Sequence, residues 1–230
     1  MTEKTLKTRL GKRLKALFER IPAETDCFYD LCCDHGAIGR AVLEQRERCH
    51  VVFNDIHPDI MASLANLLER FQAENYRLAI GPAQQAPSIP AQHPTVLLAG
   101  IGDEQCLEIL NYFMDQDATR HAHYIISPAT KVHNVRKWLR SQNTNLLHES
   151  TVTENKRTYE IIEVNRGLDG TRCEVDLFGH CWENGNPQHQ NHLAKLIAFY
   201  AAQQKGKLES YSKAVVDGYQ LALKKISTPS

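Results

Sequence analysis

Between positions 6 and 21 the apolar residues Leu6, Leu10, Leu14, Leu17 and Ile21 recur every three or four positions. Lys7, Arg9, Lys12, Arg13, Lys15 and Arg20 fill the other faces, which predicts an amphipathic basic helix. After Pro22 short apolar runs alternate with stretches of helical period. They cover residues 27–33, 37–45, 50–56, 59–72 and 76–80, followed by a loop marked by Pro82, Pro87, Pro90 and Pro94. A further apolar run at 95–101, a helix over about 104–114, a strand at 123–127 and a helix over about 133–141 continue the alternation. Strand alternating with helix predicts parallel βαβ units and an open α/β sheet. The last two runs, 146–153 and 158–164, are separated only by Glu154-Asn155-Lys156-Arg157. No crossover helix fits there, so these runs predict an antiparallel hairpin at the sheet edge.

Past Gly167 the pattern shifts again. Gly170, Gly179, Gly185 and Pro187 mark a connector before a polar helical tail, in which Leu193, Ile197, Tyr200, Leu208, Tyr211, Val215, Tyr219 and Ala222 trace a narrow seam. This spacing reads as a coiled-coil-like helix or, if Gly206 interrupts it, a helical hairpin. The chain thus divides into residues 1–166 and a helical unit, 167–230.

With 230 residues, 42% of them hydrophobic and 23% charged, the chain has the proportions of a folded domain with a core, and disorder is excluded. Its 27 basic and 27 acidic residues cancel, so net charge singles out no partner and local charge clusters must be read instead. The longest apolar stretch, 95–101, is too short to span a bilayer. The basic N-terminus lacks the uninterrupted apolar segment of a secretory signal. Seven cysteines, odd in number and without CxxC spacing, indicate a reducing compartment, and a cytoplasmic location is expected.

In an open parallel sheet the ligand lies beyond the carboxyl ends of the strands, where strand order reverses. The first strand ends in Asp30-Leu31-Cys32-Cys33-Asp34-His35-Gly36. Against a glycine-rich dinucleotide loop only the last glycine is in place. Two carboxylates in this turn repel a pyrophosphate but suit a ligand carrying an ammonium or sulfonium group. The second strand ends in Asn54-Asp55-Ile56-His57, which places Asp55 25 residues after Asp30, near the spacing of a ribose-binding acid. Together these features favour S-adenosylmethionine. The competing structural reading has Asp30 and Asp55 capping the helices that follow.

These residues carry a family resemblance. Asp30-x-x-x-Asp34-His35, Asn54-Asp55-Ile56, Ala99-Gly100-Ile101-Gly102, Ser127-Pro128 with Val135-Arg136-Lys137-Trp138-Leu139, and Glu154-Asn155-Lys156-Arg157-Thr158-Tyr159-Glu160 resemble the bacterial tRNA (adenine-N1)-methyltransferase family over residues 10–164. The resemblance implies a class I, Rossmann-like methyltransferase with a seven-stranded sheet, an antiparallel edge hairpin and a coiled-coil-like helical domain behind it. It implies in-line attack of an adenine ring nitrogen on the cofactor's methyl group, which needs alignment more than a strong base. Asp34 is the candidate catalytic carboxylate, placed to stabilise the cationic methylated base. Asp30, Cys32, His35, Gly36, Asp55, Ile56, His57, Gly100 and Gly102 are the candidate cofactor residues. The chain departs from the family at Asp103, where a glycine is usual, at Ala129, where an amide is frequent, and at Gly81-Pro82-Ala83-Gln84, where an acid usually meets the cofactor's adenine.

Lys12 and Arg13 on the first helix and Arg136 and Lys137 on the fifth are the candidate RNA-binding rim, with solvated helix faces as the plain alternative. Cys32 and Cys33 read as small fillers beneath the cofactor. In the tail, Cys173, His180, Cys181, His189 and His192 match no standard zinc spacing, and no metal is expected. The C-terminal helices are expected to meet RNA or another protein. A small-molecule methyltransferase, and a cofactor-binding interaction protein without catalysis, remain the alternatives to tRNA methylation.

Overall fold

The computed structural model describes residues 8–142, 144–166, 173–203 and 209–227. Leu6, Lys7, Gly167, Gly170, Gly206 and Leu208 lie outside them. Seven strands form one sheet in the order β3-β2-β1-β4-β5-β7-β6. They are β1 (Cys27–Leu31), β2 (His50–Asp55), β3 (Tyr76–Ile80), β4 (Pro94–Ala99), β5 (His123–Ser127), β6 (Thr144–Glu154) and β7 (Arg157–Arg166). β1 to β5 are mutually parallel, and β7 runs antiparallel to both β5 and β6. Order reverses between β1 and β4, so the crevice outside their carboxyl ends is where this sheet presents a ligand site.

The period-2 alternation of the strands divides the core. Tyr29, Leu31, Val96, Leu98, Tyr124 and Ile126 point to one face, where α4 (Asp103–Asp115) and α5 (Val132–Ser141) cover them with Ile109, Leu110, Val135 and Leu139. Phe28, Val51, Phe53, Leu97 and Ile125 point to the other face, against α1 (Lys12–Phe18), α2 (Ala37–Gln45) and α3 (Pro58–Arg70) through Leu17, Ile38, Val42, Leu64 and Leu68. β1 and β4 are covered on both faces, hence their almost continuous apolar sequence.

The N-terminal helix is shorter than its periodicity predicts. It starts at Lys12 behind Gly11 and ends at Phe18, leaving Leu10 before it and Ile21 buried beyond it. The hairpin turn is Asn155-Lys156, both at positive φ (50° and 62°), the two-residue geometry that follows the right-handed twist of the strands.

Past residue 173 the chain pairs with the outer sheet before turning into α6 (Pro187–Ala202) and α7 (Glu209–Ser227). The Leu146 amide donates to the Cys173 carbonyl at 2.8 Å. The two helices pack on each other through Leu193, Tyr200, Val215, Val216, Tyr219 and Ile226, so the seam closes a helix pair. His133 of α5 stacks on Phe178 at 5.3 Å between centroids and meets the edges of Tyr200 and Tyr219, which fastens the pair to the sheet unit. No described helix is long and apolar enough to cross a membrane.

Candidate active site

The turn after β1 folds back onto β2. Cys32 and Asp34 take left-handed backbone conformations (φ 53° and 51°), and Gly36, at φ 62°, opens α2. A β-carbon on Gly36 would stand 2.8 Å from Leu64 and 2.9 Å from Phe53, so both conformation and space require glycine here. The Cys33 amide donates to the Asn54 carbonyl at 2.9 Å, and the Asp34 amide donates to Asp55 Oδ2 at 2.9 Å.

Asp55 is therefore the knot of the crevice. Its Oδ1 accepts from the His57 amide at 3.1 Å and pairs with His57 Nδ1 at 2.7 Å. Burial pushes this carboxyl up, but the hydrogen bonds from His57 and Asp34 outweigh it and hold it below the ordinary aspartate value. A carboxylate with two oxygens has about four acceptor positions, of which Asp34 and His57 take three, so Asp55 keeps one for a ligand hydroxyl. On either side stand Ile56 and Ile80, about half exposed at the ends of β2 and β3, apolar surfaces of the kind that would cover a flat heterocycle. Asn54 ties the same two strand ends, donating through Nδ2 to the carbonyls of Ala79 and Gly81 at 3.1 and 3.0 Å.

Asp30 faces inward. It is 4% exposed, and its Oδ2 accepts the Gly39 amide in the first turn of α2 at 2.8 Å. Burial raises its pKa to about 7, against the pull of the Gly39 amide and Arg40. Asp34 and His35 are by contrast solvent-facing, with their side chains 3.7 Å apart. Cys32 is half-buried, receives Gln105 Nε2 at 3.7 Å, and has its thiol pushed up to about 11 by burial and by the nearby Asp55 and Asp30. A neutral thiol is a packing group, not a nucleophile.

Gly100, at φ 85°, follows β4, and Gly102 caps α4. Asp103 does not project its charge into the crevice. It is 5% exposed and accepts from Asn134 Nδ2 at 2.7 Å and Thr130 Oγ1 at 3.3 Å, while Tyr211 of α7 donates to Asn134 Oδ1 at 2.8 Å. Ala129 lends its carbonyl to Arg157 at 2.5 Å.

The proposed RNA rim is corrected by the packing. Arg136 is wholly buried: it donates to Glu160, Glu149 and the Asp176 carbonyl, and offers nothing to a phosphate. Its place in the helix period coincides with the buried face of α5, where Glu160 and Glu149 of the hairpin compensate it. Arg13 is half-buried and points along the sheet edge. Its guanidinium lies 4.2 Å from the Tyr159 ring centre and reaches the Ser127 carbonyl at 3.5 Å, beside Gly100. Lys12 and Lys137 are exposed, but α1 and α5 cover opposite faces of the sheet, so their outer surfaces do not make one rim. The Arg157-Thr158-Tyr159-Glu160 segment was legible as a motif. Its dual role, Tyr159 between Arg13 and Arg157 on one side and Glu160 against Arg136 on the other, required strand pairing to appear.

The tail histidines and Cys181 serve packing contacts. His189 meets Thr151 at 2.7 Å, His192 meets Glu160 at 3.1 Å, His180 lies 3.5 Å from Asp176, and Cys181 lies beside Glu149. Among the described residues no three of His, Cys, Asp and Glu are grouped to hold a metal.

A seven-stranded sheet with its reversed last strand, and an acid at the end of each of its first two strands, is the arrangement of a Rossmann-like methyltransferase. The chain belongs to the family described as Methyltransferase domain, which matches residues 10–162. The structure of M. capricolum TrmK in complex with S-adenosyl-homocysteine is similar over 95% of this chain and 99% of that one, with a TM-score of 0.75 and 19% identity. The B. subtilis m1A22 tRNA methyltransferase TrmK is similar over 96% and 99%, with a TM-score of 0.68 and 17% identity. A Mycoplasma pneumoniae protein named "Putative tRNA methyltransferase" is 22% identical over 142 residues, which span 60% of this chain and 63% of that protein. These structural likenesses extend through the helical tail and carry the fold.

Proposed function

We propose that the chain is an S-adenosylmethionine-dependent methyltransferase acting on N1 of an adenine in tRNA, in the cytoplasm. The observation that supports it best is Asp55, held by the Asp34 amide and His57 at the carboxyl end of β2, next to exposed Ile56 and one strand from where the order reverses. Residues 1–166 would form the transferase unit and 167–230 a helical unit packed on it.

When bound, the cofactor supplies an electrophilic methyl group on sulfonium. Asp55 would hold a ribose hydroxyl, with Ile56 and His57 beside the adenine. The backbone of Cys32, His35, Gly36, Gly100 and Gly102 would line the remainder, with Asp30 fixing the start of α2 beneath it. The adenine ring nitrogen already has a lone pair, so the protein's work is alignment, which can supply on the order of 7–11 kcal/mol. As N1 acquires the methyl the base becomes cationic, and the exposed Asp34 carboxylate stabilises that charge. The neighbouring TrmK structures, one named as an m1A22 enzyme, support the choice of substrate. The test is mass spectrometry of nucleosides from bulk tRNA incubated with the protein and methyl-labelled cofactor. Label in 1-methyladenosine is expected; label elsewhere or nowhere overturns the proposal.

A further inference from the structure

A cavity of about 260 Å³ lies between the loop after β5, the hairpin turn and α6. Its charge is one-sided. Lys131, Lys156, Arg157 and Lys195 line it, and the one acid, Glu160, is fully buried and already paired with Arg136 and His192. Lys156, Arg157 and Lys195 are exposed, and none of the three makes an ion pair among the described residues. The α6 wall presents Asn191, Lys195 and Phe199, spaced by four on one helix face, and Phe199 remains 42% exposed despite its size. Lys156 holds a left-handed conformation where glycine would be easier, and it lines the cavity.

The cavity lies at the carboxyl end of β5, the side of the sheet on which the transferase crevice opens. Its floor is Pro128, Ala129 and Thr130, the residues that leave β5, and Arg157 is bonded to the Ala129 carbonyl. Unpaired cations around an exposed aromatic ring suit a phosphodiester-linked base, with phosphate on the cations and base on the ring. An acidic peptide would use the charges but leave Phe199 unexplained. Resting on tRNA as the substrate, we propose that this cavity receives a nucleotide flanking the target adenosine, its phosphate held by Lys156, Arg157 and Lys195 and its base stacked on Phe199. The C-terminal helices are then one wall of the substrate site.

The experiment measures tRNA binding and single-turnover methylation across a salt series for the wild type, Lys156→Ala/Lys195→Ala, Phe199→Ala and Phe199→Trp, with Arg48→Glu as an exposed cation distant from the cavity. Thermal melting and cofactor titration of each protein report folding. The double variant is expected to bind tRNA at least tenfold more weakly and to flatten the slope of log affinity against log salt by about one to two, since each lost phosphate contact removes about 0.7–0.9 from it. Phe199→Ala weakens binding without changing the slope, and Phe199→Trp restores it; Arg48→Glu leaves both near wild type. If the wild type methylates tRNA and the cavity variants match it in affinity and slope, the subsite falls alone. Wild-type protein that transfers no methyl to tRNA removes both the function proposed above and the subsite.

Discussion

Arg136 of α5 and Glu160 of β7 form an ion pair with no solvent exposure on either side chain, Nη2 to Oε2 at 2.6 Å. Glu149 of β6 and the Asp176 carbonyl complete the guanidinium's partners, and His192 of α6 takes the other Glu160 oxygen. A helix, both strands of the hairpin and the C-terminal unit therefore meet on one cation. Replacing one member strands the opposite charge in the interior, which costs more than the pair contributes relative to apolar substitutes.

Arg136→Ala is accordingly expected to destabilise the protein by about 3–5 kcal/mol, whereas Lys137→Ala, one residue on and exposed, changes stability by about 0.5 kcal/mol or less. Chemical denaturation of the two variants side by side checks this. Equal midpoints would contradict the buried network.

The same network sets a response to acid. Burial alone would raise Glu160, but Arg136 and the His192 hydrogen bond lower it to about 2. A carboxyl depressed on folding contributes stability that is complete above the unfolded value and is lost as pH falls through the folded one. Stability should therefore drop between about pH 4.5 and pH 2, and the drop should shrink in Glu160→Gln. Denaturation midpoints across that range decide it.

Asp30 has the opposite sign. Its folded pKa, near 7, lies above the unfolded value, so the native state holds the extra proton and stability declines as pH rises from about 4 to 7. Asp30→Asn keeps an oxygen for the Gly39 amide and removes the buried charge. It is expected to melt higher than the wild type at pH 8 and with little difference at pH 4.5. A variant that melts lower at pH 8 would refute this account.

For the cofactor, Asp55→Ala removes a charged acceptor as well as the tie to Asp34 and His57. Hydrogen bonds to charged groups contribute about 1.5–3 kcal/mol, so affinity for S-adenosylmethionine should fall at least tenfold by calorimetric titration. Unchanged affinity would move the cofactor site elsewhere.

Asp34 should act on rate instead. Its side chain faces solvent while its amide makes the contact to Asp55, so Asp34→Asn keeps the turn and the cofactor affinity but lowers single-turnover methyl transfer by tens-fold or more. Full transfer by the variant would exclude the role.

The order of elements, the edge hairpin and the acidic strand ends were readable from the chain because they are local: strand and helix periods, a four-residue connection and residues next to strand ends. Asp34, Asp55, Gly36 and Gly100 follow from that reading, since a parallel sheet places every strand's carboxyl end on one side. Arg136 and Arg13 did not follow. Basic residues on a helical pattern look solvated, and whether a buried cation is compensated depends on partners 13 and 24 residues away for Arg136, and on the crossing of α1 over the hairpin for Arg13. Asp30's inward aim has a similar origin, because β1 is covered on both faces. The basic cavity belongs wholly to assembly: Lys156 in the hairpin turn, Arg157 at the start of β7 and Lys195 of α6 come together only once α6 has packed beside the hairpin. Local period places residues on elements; long-range packing sets which charges share a space and which are hidden from water.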